Sequence, residues 1–152
     1  MDENLHNAKN EIRRAEHLFF VSLKYTRTAD VLRNVVERLI NCFEFGVDII
    51  LEQSKKEKTI EEIPKAPRAK SDLLREKFSD DPVLMEYVDF YILLRDIRAA
   101  PYTKKEEYRR HVAMISEIFK GKFVEVNIDV LSDYLKKAKS FVEYIEERYK
   151  PK

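Results

Sequence analysis

The chain has 152 residues, 44% hydrophobic and 38% charged, a composition that matches a helical protein with heavily charged outer faces and a length that buries a proper core without disulfides or metals. Lys+Arg (29) and Asp+Glu (28) nearly cancel to a formal net charge of +1, so overall charge gives no reason to expect nucleic-acid or membrane binding, and only a local patch can supply one. The single cysteine, Cys42, excludes an internal disulfide; with no signal-peptide core in MDENLHNAKNEIRR and no apolar run of membrane-span length, the expected setting is cytoplasmic, with no membrane partner.

From about Asn4 to Tyr25, Leu5, Ala8, Ile12, Ala15, Phe19 and Leu23 recur at helical spacing, with Lys9, Arg13, Arg14 and Glu16 on the other face. TRT at 26–28 ends this helix, and the Thr28 hydroxyl is placed to cap the next. Ala29 to Glu52 is the organising stretch. Leu32, Val35, Val36, Leu39, Ile40, Phe43, Val47, Ile50 and Leu51 form a wide apolar stripe, backed by Arg33, Asn34, Glu37, Arg38, Asn41, Glu44 and Asp48. A helix of that length spans roughly 35 Å, and the short link before it predicts an antiparallel hairpin. Residues 53–70, with Pro64 and Pro67, read as a crossover loop. A short helix capped by Ser71 follows, pinned by Leu73, Leu74 and Phe78.

Asp81 as N-cap and Pro82 as first helical residue open a helix to about Ala99, with Leu84, Val88, Tyr91 and Ile92 inward. Its stripe continues into Arg95 and Arg98, and Pro101 stops it. Thr103 and Glu106 form a capping box that predicts a further helix carrying Tyr108, Val112, Ile115 and Phe119, with Gly121 as its stop. KFVEV at 122–126 alternates like a strand but has no obvious partner strand. Asn127 caps a last helix with Leu131, Leu135, Ala138, Val142, Ile145 and Tyr149 inward. The expected fold is all-α, a single domain over residues 1–152: an up-and-down bundle of four to five long helices with one long crossover loop at 53–70.

No catalytic or metal motif is present. His6 and His17 are three turns apart on the first helix, too far to share a metal, and there is no HExxH, Cys/His cluster, phosphate-binding glycine loop or nucleophile elbow. Catalytic residues, metal and cofactor are therefore all assigned as none. The informative segment is RDIRAAPYTKKEEYRRHV, which gathers Arg95, Arg98, Tyr102, Tyr108, Arg109, Arg110 and His111 around one helix break. Guanidinium forks suit phosphates, tyrosines stack on bases and a histidine can exchange protons near neutral pH. Asn41, Glu44 and Asp48 share a face of the central helix, and a carboxylate near apolar surface requires a cationic partner. Two readings stay open: Arg95 and Arg98 pair with Asp48, Glu44 or Asp96 as an interhelical lock, or these residues with Tyr102, Arg110 and His111 wall a polar ligand cleft.

The opening hairpin with LRNVVERLINCFEFGVDIIL, the proline-bearing crossover with SDLLREKF, the segment RDIRAAPY and the final LSDYLKKAKSFVEYIEERY together resemble the HEPN superfamily, small helical bundles also seen as substrate-binding subunits of bipartite nucleotidyltransferases. The resemblance covers nearly the whole chain as a pattern, with Arg95, Arg98 and Tyr102 in the matching places. It implies a helical bundle, often a homodimer, that binds a nucleotide or RNA or partners a nucleotidyltransferase. Many HEPN members are ribonucleases with an R-x4-6-H motif. Here three residues separate Arg13 from His17, and Arg109 and Arg110 directly precede His111, so the motif is missing. The reading is a non-catalytic HEPN-like binding module; the alternatives are a metal-independent HEPN-type ribonuclease using Arg98 and His111 across the break, and a purely structural dimerisation protein.

Overall fold

A computed structural model describes residues 2–149, apart from the side chain of Asp2; the extreme ends of the expected 1–152 domain lie outside the described residues. The chain runs α1 (Asp2–His17), a π-helical turn (Leu18–Ser22), α2 (Leu23–Tyr25), α3 (Ala29–Lys56), α4 (Pro67–Lys77), α5 (Pro82–Ala99), β1 (Tyr102–Lys105), β2 (Ala113–Phe119), β3 (Lys122–Asn127) and α6 (Ile128–Arg148).

Three of the five helix starts read from the sequence form as expected. Thr28 Oγ1 accepts from Val31 N (3.4 Å), Asp81 Oδ1 from Leu84 N (3.1 Å) and Asn127 Oδ1 from Val130 N (2.8 Å), each satisfying an amide that has no partner within its own helix. The apolar stripe of α3 is buried along its length, from Leu32 to Leu51. Polar pairs then give the helix directions. Lys9–Glu146 (3.1 Å) and Lys139–Glu16 (3.2 Å) set α1 against α6 head to tail. Arg98–Glu37 (3.2 Å) and Tyr91–Glu44 (3.1 Å) do the same for α5 and α3. Tyr134 against Phe90 and Phe141 against Tyr87 do it for α6 and α5. With α5 antiparallel to both, α3 and α6 run parallel and begin at the same end of the bundle.

Two sequence expectations need correction. The protein is mostly helical but not all-α: residues 102–127 form a three-stranded antiparallel sheet of order β1-β2-β3. The helix expected from the Thr103/Glu106 capping box does not exist. Val112, Met114 and Ser116 alternate inward at the period of a strand, and Met114 pairs with Val126, so KFVEV has its partner after all. Tyr108 and Phe119, assigned to a buried stripe, are 77% and 74% exposed. Gly121, at φ +78°, turns the β2–β3 hairpin rather than stopping a helix. The crossover is also shorter than 53–70. α3 continues to Lys56, and α4 starts four residues before Ser71, at Pro67, where the missing N–H costs nothing. Ser71 lies inside α4 and donates to Pro67 O (3.1 Å).

The core is closed by aromatic rings. Phe43 of α3 stacks on Phe141 of α6, with centroids 4.4 Å apart and planes 8° from parallel. Phe90, Tyr91 and Tyr87 of α5 pack on Phe43, and Tyr144 packs on Phe141. Phe141 can sit there because residue 46 is glycine: a β-carbon at that position would overlap the ring, 2.8 Å from Cζ. Gly46→Ala therefore lowers stability by about 1–3 kcal/mol, overpacking outweighing the better helix propensity of alanine. A denaturant midpoint equal to or above wild type would show that Phe141 moves aside freely.

Asp81 joins two helices, capping α5 and accepting a hydrogen bond from the Tyr144 hydroxyl of α6 (2.6 Å). Desolvation pushes its carboxyl up, but hydrogen bonds from Tyr144, Leu84 and Val83 and the charge of Arg148 prevail and hold it below the ordinary value. A carboxyl depressed in the folded state stabilises above its unfolded value and loses that contribution as pH falls through the folded one. Removing the Tyr144 donor reduces the depression. The stability gap between wild type and Tyr144→Phe, from urea unfolding, is thus wider at pH 7 than at pH 2; an equal gap at both would place the effect elsewhere.

Candidate functional site

The residues expected to form one site fall into two places. The first is a polar seam between α3 and α5. Arg33, Glu37, Asn41 and Glu44 succeed one another on one face of α3, opposite Tyr91, Arg95 and Arg98 of α5. Arg98 bonds Glu37 (3.2 Å), and the Tyr91 hydroxyl donates to Glu44 (3.1 Å). The Tyr91 phenol is pushed above its ordinary value by burial first, then by Glu44, against the pull of Arg95 and Arg98. The Arg95 guanidinium lies 5.8 Å from the centre of the Tyr91 ring, and among the described residues it has no carboxylate partner. Arg33 donates to the carbonyl of Arg98 (3.0 Å), near the end of α5, and sits 5.8 Å from the Tyr102 ring centre. Asp48 pairs with neither expected arginine: Lys70 of α4 holds it at 2.7 Å. The antiparallel run of α5 explains this, because Arg98 arrives beside Glu37, toward the start of α3, while α4 covers the stretch around Asp48.

The Arg98–Glu37 ion pair, the Tyr91–Glu44 hydrogen bond and the bond from Arg33 to the Arg98 carbonyl together fasten α5 to α3. The Arg98–Glu37 side chains are 28% and 42% exposed, so screening keeps their coupling modest. A double-mutant cycle on Arg98→Ala and Glu37→Ala gives about 0.5–1 kcal/mol of coupling in unfolding free energy. Coupling indistinguishable from zero would remove the pair from the account of stability.

The second place is a cavity of about 520 Å³ where three parts of the chain meet: the turn before α3, the loop between β1 and β2, and the junction of β3 with α6. Arg27, Lys105, Glu106, Arg110, His111, Glu125, Asn127, Ile128 and Asp129 line it. The β1–β2 loop is tied to the start of α3 twice: Tyr108 N donates to Arg27 O (2.6 Å), and Glu107 Oε2 accepts from Ala29 N (3.0 Å). Glu106 and Tyr108 hold left-handed backbone, φ 50° and 68°, conformations a non-glycine residue keeps only when its surroundings impose them. Arg27, Arg110 and His111 make no side-chain hydrogen bond or ion pair among the described residues. Lys105 is drawn only loosely to Glu125, at 4.0 Å. The first turn of α6 adds unpaired amides and the positive end of its dipole.

Of the eight residues assigned to the site from the sequence, Arg110 and His111 meet here, while Arg95, Arg98, Tyr102, Asn41, Glu44 and Asp48 do not line this cavity. His111 lies beyond the Lys105–Ala113 end of the hairpin, about 10 Å of strand from Tyr102, so Arg98 and His111 do not share a pocket. Sequence reading missed Arg27, Lys105, Asn127 and the acidic lining. Arg27 stood in a segment read only as a helix break, and the others depend on strand pairing. Cys42 is buried, its thiol pushed up to about 12 by burial and by Glu11, which leaves it poorly suited as a nucleophile. Among the described residues no cluster of three or more His, Cys, Asp or Glu is arranged to hold a metal ion, and no helix is long and apolar enough to cross a membrane. Comparison with protein-family models, curated proteins and solved structures finds no match to this chain.

Proposed function

We propose that this chain is a non-catalytic, HEPN-like binding module for a phosphate-bearing ligand of the nucleotide or RNA class, held at the cavity between Arg27, Lys105, Arg110 and His111. The carrying observation is the gathering of Arg27 and Arg110, both without side-chain partners, beside Lys105, His111 and the start of α6. Guanidinium groups left without carboxylates at a helix N-terminus form an anion site. Tyr108, 77% exposed in the loop that builds one wall, offers a ring to a base. Glu106, Glu125 and Asp129 on the same rim limit the total charge and favour a ligand with its own hydrogen-bond donors, as bases and ribose have, over a bare polyanion. The separation of Arg98 from His111 takes support away from the ribonuclease alternative.

The test is fluorescence anisotropy of a labelled ten-nucleotide oligouridine between 50 and 200 mM salt. Wild type binds with an affinity that falls as salt rises, and Arg110→Ala binds about three- to tenfold more weakly, with a shallower salt slope. No binding at the lowest salt, or an Arg110→Ala curve that overlays wild type, overturns the proposal.

A further inference from the structure

The three-stranded sheet shows the core one face and solvent the other. By register, Tyr102, Met114, Ser116, Val124 and Val126 share the inner face, whereas Thr103, Lys105, Ile115, Glu117, Phe123, Glu125 and Asn127 share the outer one. On that outer face Thr103, Lys105, Phe123 and Glu125 are exposed, Ile115, Glu117 and Asn127 are half-buried, and Ala113, which the register also places there, is buried. One end carries Lys105, Glu125 and Asn127, which are also walls of the cation-lined cavity. The other end is the β2–β3 hairpin turn, Phe119-Lys120-Gly121-Lys122-Phe123, where Phe123 continues the outer face and Phe119, paired with Lys122 past a bulge, stands at the tip off that face. Phe119 is 74% and Phe123 61% exposed, and among the described residues neither ring has an aromatic partner. Lys120 and Lys122 have no carboxylate partner among the described residues. Glu117, at the same end of β2, is engaged by the turn: its Oε1 accepts from Gly121 N (3.3 Å).

Leaving two phenylalanine rings in water forfeits the burial they would gain in a core, and the tip needs neither ring to turn, since Gly121 supplies the positive φ. Rings spaced among unpaired lysines are what single-stranded nucleic acid requires: flat apolar surfaces for unstacked bases, and cations for the phosphates between them. From Phe123 to Asn127 the outer face of β3 runs about 13 Å, longer than one nucleotide, and joins the tip to the cavity through exposed Phe123 and Glu125 and half-buried Asn127.

We infer that the outer face of the sheet is a track for single-stranded nucleic acid, with a phosphate seated in the Arg27/Arg110 cavity and bases stacked on Phe119 and Phe123 at the hairpin tip. This rests on the nucleotide-class reading of the cavity and extends it from a single nucleotide to an oligomer. A lipid-inserting tip would also use exposed phenylalanines and lysines. The strip that continues from the tip to the cavity holding Arg27 and Arg110 favours an extended polymer that carries both bases and phosphates.

The experiment measures uridine monophosphate by calorimetry, and labelled oligouridines of two, four and ten nucleotides by anisotropy, on wild type and on the Phe119→Ala/Phe123→Ala double variant. Both side chains are solvent-exposed, so the variant keeps the fold, and circular dichroism verifies this. The expected result is that affinity in wild type rises with oligomer length and that the double variant weakens the ten-mer about tenfold or more while binding the monophosphate as wild type does. Equal binding of the ten-mer by the two proteins overturns the inference. So does a wild type that binds monophosphate and ten-mer equally, a result that leaves the cavity reading standing. Absence of binding to any of these probes removes the cavity reading itself. Wild type and variant are also spun with vesicles of phosphatidylcholine and phosphatidylserine. Vesicle binding that is lost in the variant while ten-mer binding is unchanged makes the tip a membrane contact and overturns the inference.

Discussion

The close approach of α3 and α6 at Gly46 and Phe141 is the constraint on which the rest of the structure depends. Only a residue without a β-carbon lets the Phe141 ring lie against the α3 backbone and stack on Phe43. Once those two helices are parallel and in contact, their N-termini are brought to one end of the bundle. α5 then fits against both through Tyr87, Phe90 and Tyr91. Burial of these rings supplies the main attraction, and their edge-to-face and stacked geometry narrows how the helices can slide. The Arg98–Glu37 and Tyr91–Glu44 contacts fix the register; the ion pair contributes less than the rings, because it trades hydration for pairing at half-exposed positions.

That geometry explains why a site forms where it does. The turn before α3 delivers Arg27, and the end of β3 delivers Asn127 and the first turn of α6 to the same neighbourhood. The β1–β2 loop closes the third side and is held there by Glu107 at the start of α3 and by Tyr108 on the Arg27 carbonyl. The left-handed residues Glu106 and Tyr108 are the cost of that fit. Strained backbone held by hydrogen bonds at Glu107 and Tyr108 positions the residues that follow, Arg110 and His111, along the cavity wall.

The long helices were legible because each carries its own evidence: a stripe at helical period and a side chain that caps its start. Thr28, Asp81 and Asn127 needed no tertiary information to be recognised, and all three cap as their sequence context suggests. Residues 103–121 were not legible for the same local reason. Tyr108, Val112, Ile115 and Phe119 satisfy helical spacing, while Val112, Met114 and Ser116 satisfy strand spacing, and nothing within the segment decides between them. The decision comes from β3, whose Val126 pairs with Met114 and buries it. A capping box followed by a competing strand pattern is a case in which tertiary pairing overrides local preference. The site follows the same division. Arg110 and His111 stood out as neighbours in sequence, but Arg27 lies more than eighty residues from them, and no periodicity connects the two. Asp48 drew attention correctly as an acid in need of a cation, yet only the fold could select Lys70 over Arg95 or Arg98.

A net charge of +1 conceals two kinds of cation. Along the helices, Lys9, Arg38, Lys70, Arg98 and Lys139 each have a carboxylate within 4.0 Å, and those pairs fasten one helix to another. At the sheet end Arg27, Arg110, Lys120 and Lys122 have none among the described residues. A cation paired across a helix interface is committed to the fold, because moving it to a ligand would expose its partner. A cation with no partner gains whatever an incoming phosphate offers, less only its own hydration and side-chain freedom. Composition does not separate the two kinds, and neither does the arginine row on α5, where Arg98 is paired and Arg95 has no carboxylate partner among the described residues. Arg27 and Arg110 differ from the other unpaired cations in sharing a cavity, in the part of the molecule whose pairing a helical reading of the chain leaves out.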